Sequence, residues 1–467
     1  MEKLHVMFFP FPGQGHLIPM GDMARVFSER GVRVTIATTP LNVAMVKGRG
    51  STQEIEIVTV KFPCAEVGLP EGCENTESIP SADLVLSFFK ATALLQAPLE
   101  ELLLQHRPHC LIASAFFPWA SDAAVKLKIP RFVFHGIGVF ALCASECLRL
   151  YQPHKNVSSE SEPFVIPHLP GEIHMTRMML PDYHKAEGET EFTKALQAIK
   201  ESEVASSGVI VNSFYELEQV YAYYYNEKVI QGKKAWYVGP LCLSNEKGKR
   251  GKQDGVDEGD ILKWLDSKKP NSVVYVCFGS IANFRESQLG EIARGLEGSG
   301  QQFIWVVRRS DKGWLSDGFE ARMEGRGVII WGWAPQLLIL NHQAVRAFVT
   351  HCGWNSTLEA VSAGVPMLTW PVSAEQFYNE KLVTEILQIG VPVGVRKWAR
   401  IVGDNVTGDA LHKALHRVML GEEADAMRNR AYKLAQMATT AVQRDGSSYC
   451  HLSHLIQHLT SIASLQT

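Results

Sequence analysis

Short apolar runs rich in β-branched residues alternate with amphipathic stretches of helical length along this chain, and the alternation stops once and then restarts. Leu4–Phe9 reads as a strand, Ile18–Glu29 as a helix and Val32–Ala37 as a strand. Cys110–Ala113, Arg131–Phe134 and Val209–Asn212 read as further buried strands, with helical patterns between them. Strands separated by helices imply parallel sheets covered on both faces. The segment Pro153–Tyr183, rich in Pro, Ser and His, breaks the pattern and reads as a lid or binding loop. Residues 241–259 are glycine-rich, charged and without apolar period, and mark a linker. Beyond them come a helix at Asp260–Asp266, a strand at Val273–Phe278, a helix at Glu286–Ser299 and strands at Phe303–Val307, Val328–Ile330 and Ala347–Thr350. A helix at Asn355–Ala363, a strand at Met367–Thr369 and three helical patterns close the chain. The expected fold class is α/β, with two doubly wound Rossmann-like domains. They span residues 1–240 and 260–445, and a final helix at 446–467 is expected to return to the first. Ligands of such folds sit beyond the C-terminal ends of the strands, so a cleft between two facing domains is expected. The chain's 467 residues suit two domains of roughly 200 residues each.

Composition narrows the classes. A formal net charge of −3 gives no basic face for nucleic acid. The densest basic run, Lys247–Lys252, is broken by glycine and reads as a solvated loop. The 9 cysteines form no CxxC pair or Cys/His cluster, which argues against a disulfide framework and a zinc site. The apolar start at Val6–Phe11 is short and interrupted by Pro10, unlike a signal peptide. No integral membrane span is expected. These features point to a cytoplasmic monomer, in which the sequons at Asn156, Asn355 and Asn405 carry no meaning.

The chemistry concentrates at two places. The strand Ala347–Thr350 runs into His351-Cys352-Gly353-Trp354-Asn355-Ser356-Thr357 and a helix. A glycine there permits close backbone approach, and a helix start offers amide N–H groups to an anion, with the His351 imidazole as a further donor. The pattern fits a diphosphate cradle, and equally an ordinary helix cap. In the first half, Gly13-Gln14-Gly15-His16 follows the first strand. A histidine on a glycine loop at that place projects into the expected cleft, or else caps the helix or sits in the core.

From Trp333-Ala334-Pro335-Gln336 to Glu375-Gln376 the sequence closely resembles the signature box of plant secondary-product glycosyltransferases, the UDP-dependent enzymes of glycosyltransferase family 1. The resemblance runs from PFPGQGHLIPM near the start to DGSSY near the end. It implies the GT-B fold, with an acceptor-binding first domain and a UDP-sugar-binding second. It also implies that Trp333 stacks on uracil, with backbone contacts from Ala334. Gln336 and Glu359 would hold the ribose hydroxyls. His351, Asn355, Ser356 and Ser280 would bind the diphosphate, and Trp354, Glu375 and Gln376 would face the sugar. A terminal Gln is typical of enzymes that prefer UDP-glucose. His16 takes the position of the family's general base, which removes the acceptor's proton as its hydroxyl attacks the anomeric carbon with inversion. The UDP-sugar is a co-substrate, and no cofactor or metal is implied.

Two positions depart from the family pattern. Where relatives carry an Asp that supports the base, this chain has Ser114, and the nearest acid, Asp122, reads as structural. A hydroxyl orients a ring but brings no charge. His16 would then act alone on an acidic phenol, or a water or the substrate would complete the relay, or the enzyme would be slow or specialised. Ile137 stands where relatives often have Thr, which opens a 6-deoxy sugar or pentose donor, UDP-rhamnose or UDP-xylose, beside UDP-glucose. Phe88, Phe89, Phe116, Phe117 and Phe140 and the loop from Pro153 are candidate acceptor-site linings for a flavonoid, phenolic or terpenoid, and equally core residues. Two rival functions remain. One is a UDP-sugar-binding protein that has lost catalysis. The other is a nicotinamide-dependent oxidoreductase, for which the GxGxxG turn is missing.

Overall fold

The structure is a computed structural model that describes residues 3–47, 55–185, 188–244, 257–280, 282, 284–308, 313–400 and 402–466. It divides into two compact units. The first contains Met1–Cys143, Ala186–Gly251 and Thr440–Thr467, and the second contains Ala144–Lys185 and Lys252–Thr439. The basic run Lys247–Lys252 and most of the expected linker lie outside the described residues.

In chain order the strands are β1 (His5–Phe9), β2 (Arg33–Thr38), β3 (Glu56–Thr59), β4 (Cys110–Ser114) and β5 (Arg131–His135). Next come β6 (Pro163–Val165), β7 (His174–Thr176), β8 (Gly208–Val211) and β9 (Ala235–Tyr237). The later strands are β10 (Val273–Cys277), β11 (Gln302–Val307), β12 (Gly327–Trp331), β13 (Val345–Thr350), β14 (Met367–Thr369) and β15 (Gly390–Pro392).

The first unit has a seven-stranded parallel sheet in the order β3-β2-β1-β4-β5-β8-β9. Along β1, Val6 and Phe8 point to one face and Met7 and Phe9 to the other, and all four are buried. Both faces are therefore covered, as a parallel sheet requires. Leu17, Met20, Met23 and Phe27 of the helix Gln14–Glu29 cover the first face, joined by Leu452, Leu455 and Leu459 of the helix Ser447–Gln466. The second face packs on Phe88, Leu99, Leu103 and Phe117. Burying a side chain of this size contributes about 1.5–3 kcal/mol.

The second unit has a six-stranded parallel sheet in the order β12-β11-β10-β13-β14-β15. In each sheet the strand order reverses at one place, between β1 and β4 and between β10 and β13. Such switch points leave a crevice at the C-terminal ends of the strands, where ligands bind.

The segment 144–185, which the sequence pattern attaches to the first domain, clusters with the second unit. The reason is local pairing. The antiparallel hairpin β6-β7 leads into Met178, whose carbonyl accepts a hydrogen bond from the Trp398 amide at 2.8 Å. Ala82–His106 is apolar enough, by length and composition alone, to cross a membrane, with mean hydropathy 1.2. Here it is broken into the helices Val85–Ala93 and Gln96–His106, and Phe88, Ala91, Leu95, Leu99 and Leu103 are buried in the first unit's core.

Candidate active site

The first helix begins earlier than its apolar period suggests, at Gln14. Gly13 is its N-cap, in an extended conformation, and Gln14 donates its amide to Glu77 Oε1 at 3.0 Å. His16 therefore sits in the first helical turn and not on a glycine loop. The helix holds the ring rigidly at the switch point, above the end of β4. There Ser114 Oγ lies 2.6 Å from His16 Nδ1. Phe11, Phe116 and Phe134 surround the imidazole, with ring centroids at 5.7, 5.3 and 6.3 Å. Gly136, just after β5, is the close approach that seats the ring. A methyl group there would come within 3.1 Å of His16 Nε2 and Cε1. Burial, and then the neighbouring His135, push the His16 pKa down to about 3. The ring is thus neutral across the physiological range.

Beneath Ser114 lies a buried guanidinium. Arg131 donates to the Ser114 carbonyl at 3.3 Å and to Ser121 Oγ at 2.5 Å, and Asp122 acts on its charge. Asp122 thus faces Arg131, one step removed from His16.

The aromatic expectations divide. Phe117 and Phe140 have no exposed surface; Phe117 belongs to the core and Phe140 packs on Tyr221 at 4.8 Å. They cannot line a binding surface, because the sheet and helices enclose them. Phe88 is buried as well. Phe89 and Phe116 are partly exposed and pack around Phe11 at 5.7 and 4.9 Å, and Phe11 and Phe116 flank His16. Phe11 does not stand out in the sequence, because it follows a strand and looks like its continuation.

The second unit gathers the box residues at the other switch point. Gln336 opens a short helix, and its amide nitrogen reaches Ser356 Oγ at 3.0 Å and Glu359 Oε2 at 2.7 Å. Trp333 and Ala334 lie between β12 and that helix. His351 follows β13 and is pressed between Gly279 and Gly353. A Cβ on either glycine would fall 2.4 Å from its ring. Gly279, at φ +69, and Ser280 lie in the loop after β10. Burial pushes the His351 pKa down to about 4, so the ring is neutral, and its Nδ1 is buried without a hydrogen-bond partner among the described residues. The helix Trp354–Ala363 starts immediately after, with Asn355 and Ser356 in its first turn. First-turn amides have no acceptor inside their own helix and favour an anion.

Gln376 is locked. Its Oε1 accepts the amides of Val372 and Ser373 at 2.8 and 2.9 Å. Its amide group is therefore fixed in orientation, with the NH₂ turned away from that loop as a donor. Glu375 accepts from Asn379 Nδ2 at 3.2 Å and from the Trp354 backbone, and burial raises its pKa. Asn379 also ties the Cys352 carbonyl at 2.8 Å. It lies four residues after Glu375, on the same helical face, a spacing visible in the sequence but outside the signature box.

Glu380, one residue on, is buried and accepts from Thr369 Oγ1 at 2.7 Å; burial pushes its pKa up to about 7. Its folded-state pKa exceeds the unfolded value, so this carboxyl favours the fold most below about pH 4.5. That contribution is lost as pH rises through 7. Glu380→Gln is expected to raise the thermal midpoint at pH 8, by up to about 3 kcal/mol of stability, and to leave it nearly unchanged at pH 5. Equal effects at both pH values would contradict this.

Residues 2–243 match the family described as glycosyltransferase, N-terminal domain, and residues 252–433 match UDP-glucoronosyl and UDP-glucosyl transferase. The chain is 51% identical to a scopoletin glucosyltransferase of Nicotiana tabacum, over 99% of both chains. The chain belongs to the plant family 1 UDP-glycosyltransferases. This UDP-glycosyltransferase is also 53% identical to a UDP-glucose flavonoid 3-O-glucosyltransferase of Fragaria ananassa, over 99% of this chain and 97% of the relative. Among solved structures it resembles Glycyrrhiza uralensis UGT73P12 complexed with glycyrrhetinic acid 3-O-monoglucuronide. The TM-score is 0.91 at 41% identity, covering 100% of this chain and 97% of the other. It also resembles Phytolacca americana UGT2 complexed with UDP-2fluoro-glucose and pterostilbene, with TM-score 0.79 at 27% identity, covering 98% and 99%. The UDP-glycosyltransferase has the two parallel α/β units of the GT-B fold.

Proposed function

We propose that this enzyme transfers glucose from UDP-glucose to a hydroxyl of a flavonoid or other phenolic acceptor, with inversion, using His16 as general base. The observation that carries the reading is the hydrogen-bonded set Gln336–Ser356–Glu359 at the start of the helix Trp354–Ala363. A carboxylate and an amide at that point suit a vicinal diol, and the helix start suits the adjoining diphosphate. Trp333 offers a face to uracil, backed by the Ala334 main chain. His351, Asn355, Ser356 and Ser280 offer donors to the phosphates, and Trp354, Glu375 and the fixed NH₂ of Gln376 offer contacts to the sugar. The names of the relatives support glucose as the sugar and phenols as acceptors.

The acceptor oxygen attacks the anomeric carbon and forms the new C–O bond there. The bond from that carbon to the UDP oxygen breaks, and the acceptor proton moves to His16 Nε2. Charge collects on the departing diphosphate, where donors already in place lower the barrier. Attack opposite the leaving group turns an α-linked donor into a β-glycoside.

Ile137, beside the His16 site, favours a second reading in which the donor lacks the 6-hydroxyl. UDP release with UDP-glucose, UDP-rhamnose and UDP-xylose, each with a panel of flavonoids and simple phenols, separates the two. Turnover is expected to be at least about tenfold faster with UDP-glucose, the worth of one good hydrogen bond to the sugar. A preference for UDP-rhamnose or UDP-xylose would overturn the glucose assignment.

A further inference from the structure

The loop Val372-Ser373-Ala374 leads into Glu375 and Gln376, the pair offered above as sugar contacts. Its main chain is held from two sides. From within, Gln376 Oε1 accepts the amides of Val372 and Ser373, and the Ser373 carbonyl accepts the Gln376 amide at 3.1 Å. From outside, the Val372 carbonyl accepts the Ala399 amide at 2.8 Å, and the Ala374 carbonyl accepts the indole N–H of Trp398 at 3.1 Å. Trp398 is buried, at 7% exposure, and its own amide donates to the Met178 carbonyl of the segment 144–185. This tryptophan lies beyond the signature box, yet it ties that segment to the end of the box.

The turn it holds is a demanding one. Ala374 is exposed and sits at φ +48, in the left-handed region that residues other than glycine seldom occupy. Such a conformation persists only where the surroundings enforce it. The Ala374 carbonyl and the Glu375 N–H belong to one planar peptide, so a hydrogen bond to the first also orients the second. Glu375 is in turn the N-cap of the helix Gln376–Lys381.

We propose that Trp398 is a positioning residue for donor-sugar selection: its indole N–H holds the turn at Ala374, and that turn aims Glu375 and the fixed NH₂ of Gln376 at the sugar. The proposal rests on the reading of Glu375 and Gln376 as sugar contacts. An amide fixed in orientation tells hydroxyls apart by direction. An amide free to turn presents a donor or an acceptor to either epimer. Without the indole N–H the turn relaxes, the amides that lock Gln376 Oε1 shift with it, and selection among sugars weakens. The candidates for binding UDP itself, at Gln336, Glu359 and the start of the helix Trp354–Ala363, lie outside this turn and keep their places.

Two variants test this from opposite sides. Trp398→Phe keeps the aromatic bulk and the backbone amide but lacks the indole N–H. Ala374→Val leaves the indole in place and puts a branched side chain where the left-handed turn disfavours it. kcat/KM is measured with UDP-glucose and with UDP-galactose, which differs only in the direction of one ring hydroxyl, on one phenolic acceptor. The dissociation constant of UDP is measured by calorimetric titration. Wild type is expected to favour UDP-glucose by about tenfold or more, the worth of one directed hydrogen bond. Each variant is expected to lower kcat/KM for UDP-glucose about tenfold and to bring the ratio of the two sugars within about threefold. UDP affinity is expected to stay within about twofold. A folded variant that keeps the wild-type ratio overturns the proposal. So does one that loses UDP affinity and the turnover of both sugars in equal measure, which is the mark of a purely structural role. Should Trp398→Phe fail to fold, as judged by its melting curve, Ala374→Val decides. Gln376→Ala runs alongside, and an unchanged sugar ratio there would instead overturn the reading of Gln376 as a sugar contact.

Discussion

Replacing His16 with alanine is expected to lower kcat by roughly 10²–10⁴-fold, the usual worth of a positioned proton acceptor. The dissociation constant for UDP-glucose is expected to stay within about twofold, because every donor-binding candidate belongs to the other compact unit. The ring is held on three sides: by the first helical turn, by Ser114 at 2.6 Å and by the glycine surface at Gly136. That rigidity is what a base needs, since the acceptor must lose its proton while the glycosidic bond forms and not before. Burial keeps the ring neutral but also makes it a weak base at equilibrium, at about 3. A base this weak would favour acidic hydroxyls, and phenols over aliphatic alcohols. Initial rates and calorimetric titration of the variant check both parts. Activity within about tenfold of wild type would remove His16 from the base role.

Ser114→Asp is expected to raise kcat about tenfold or more. The reason lies in the tautomer. A serine hydroxyl can accept a hydrogen bond from His16 Nδ1 or donate one to it. When it donates, the ring proton sits on Nε2, the nitrogen that must take the acceptor's proton, and the base is blocked. A carboxylate only accepts. It holds the proton on Nδ1, frees Nε2 and stabilises the imidazolium as it forms. Burying a carboxylate here is costly, since Ser114 has no exposed surface, but Arg131 already lies against the carbonyl of the same residue and offsets the new charge. A folded Ser114→Asp protein with unchanged kcat would mean that the serine already enforces the productive tautomer.

The doubly wound pattern, the central strands and the residues that gather around the start of the helix Trp354–Ala363 are legible in the amino-acid sequence, from periodicity and one long motif. The outermost strands β3, β9 and β15 are not, because they are three or four residues long and a short edge strand carries little period. The start of the first helix is obscured for a related reason. Glycine at Gly13 and Gly15 looks like loop, whereas a glycine N-cap and a carboxylate from Glu77 let the helix begin between them. Phe117 and Phe140 are indistinguishable from Phe116 in sequence, and only packing separates core from surface. The hydrogen bond from Trp398 to Ala374 joins residues 24 positions apart, and no local pattern announces such a contact.

The last helix has a bearing on how the chain is made. Leu452, Leu455 and Leu459 join the same core cluster as Val6 and Phe8 of β1, a strand that begins at His5, and their helix packs on β9. During synthesis one face of the N-terminal sheet, packed on the helix Gln14–Glu29, therefore stays incompletely covered until the helix Ser447–Gln466 emerges. The segment 252–439 clusters with itself and with Ala144–Lys185, all of which is already made. The usual order, in which the N-terminal domain matures first, is thus reversed in its last step. A nascent chain stalled before residue 447 leaves His16 on an unfinished scaffold, and expression of the N-terminal half alone meets the same deficit.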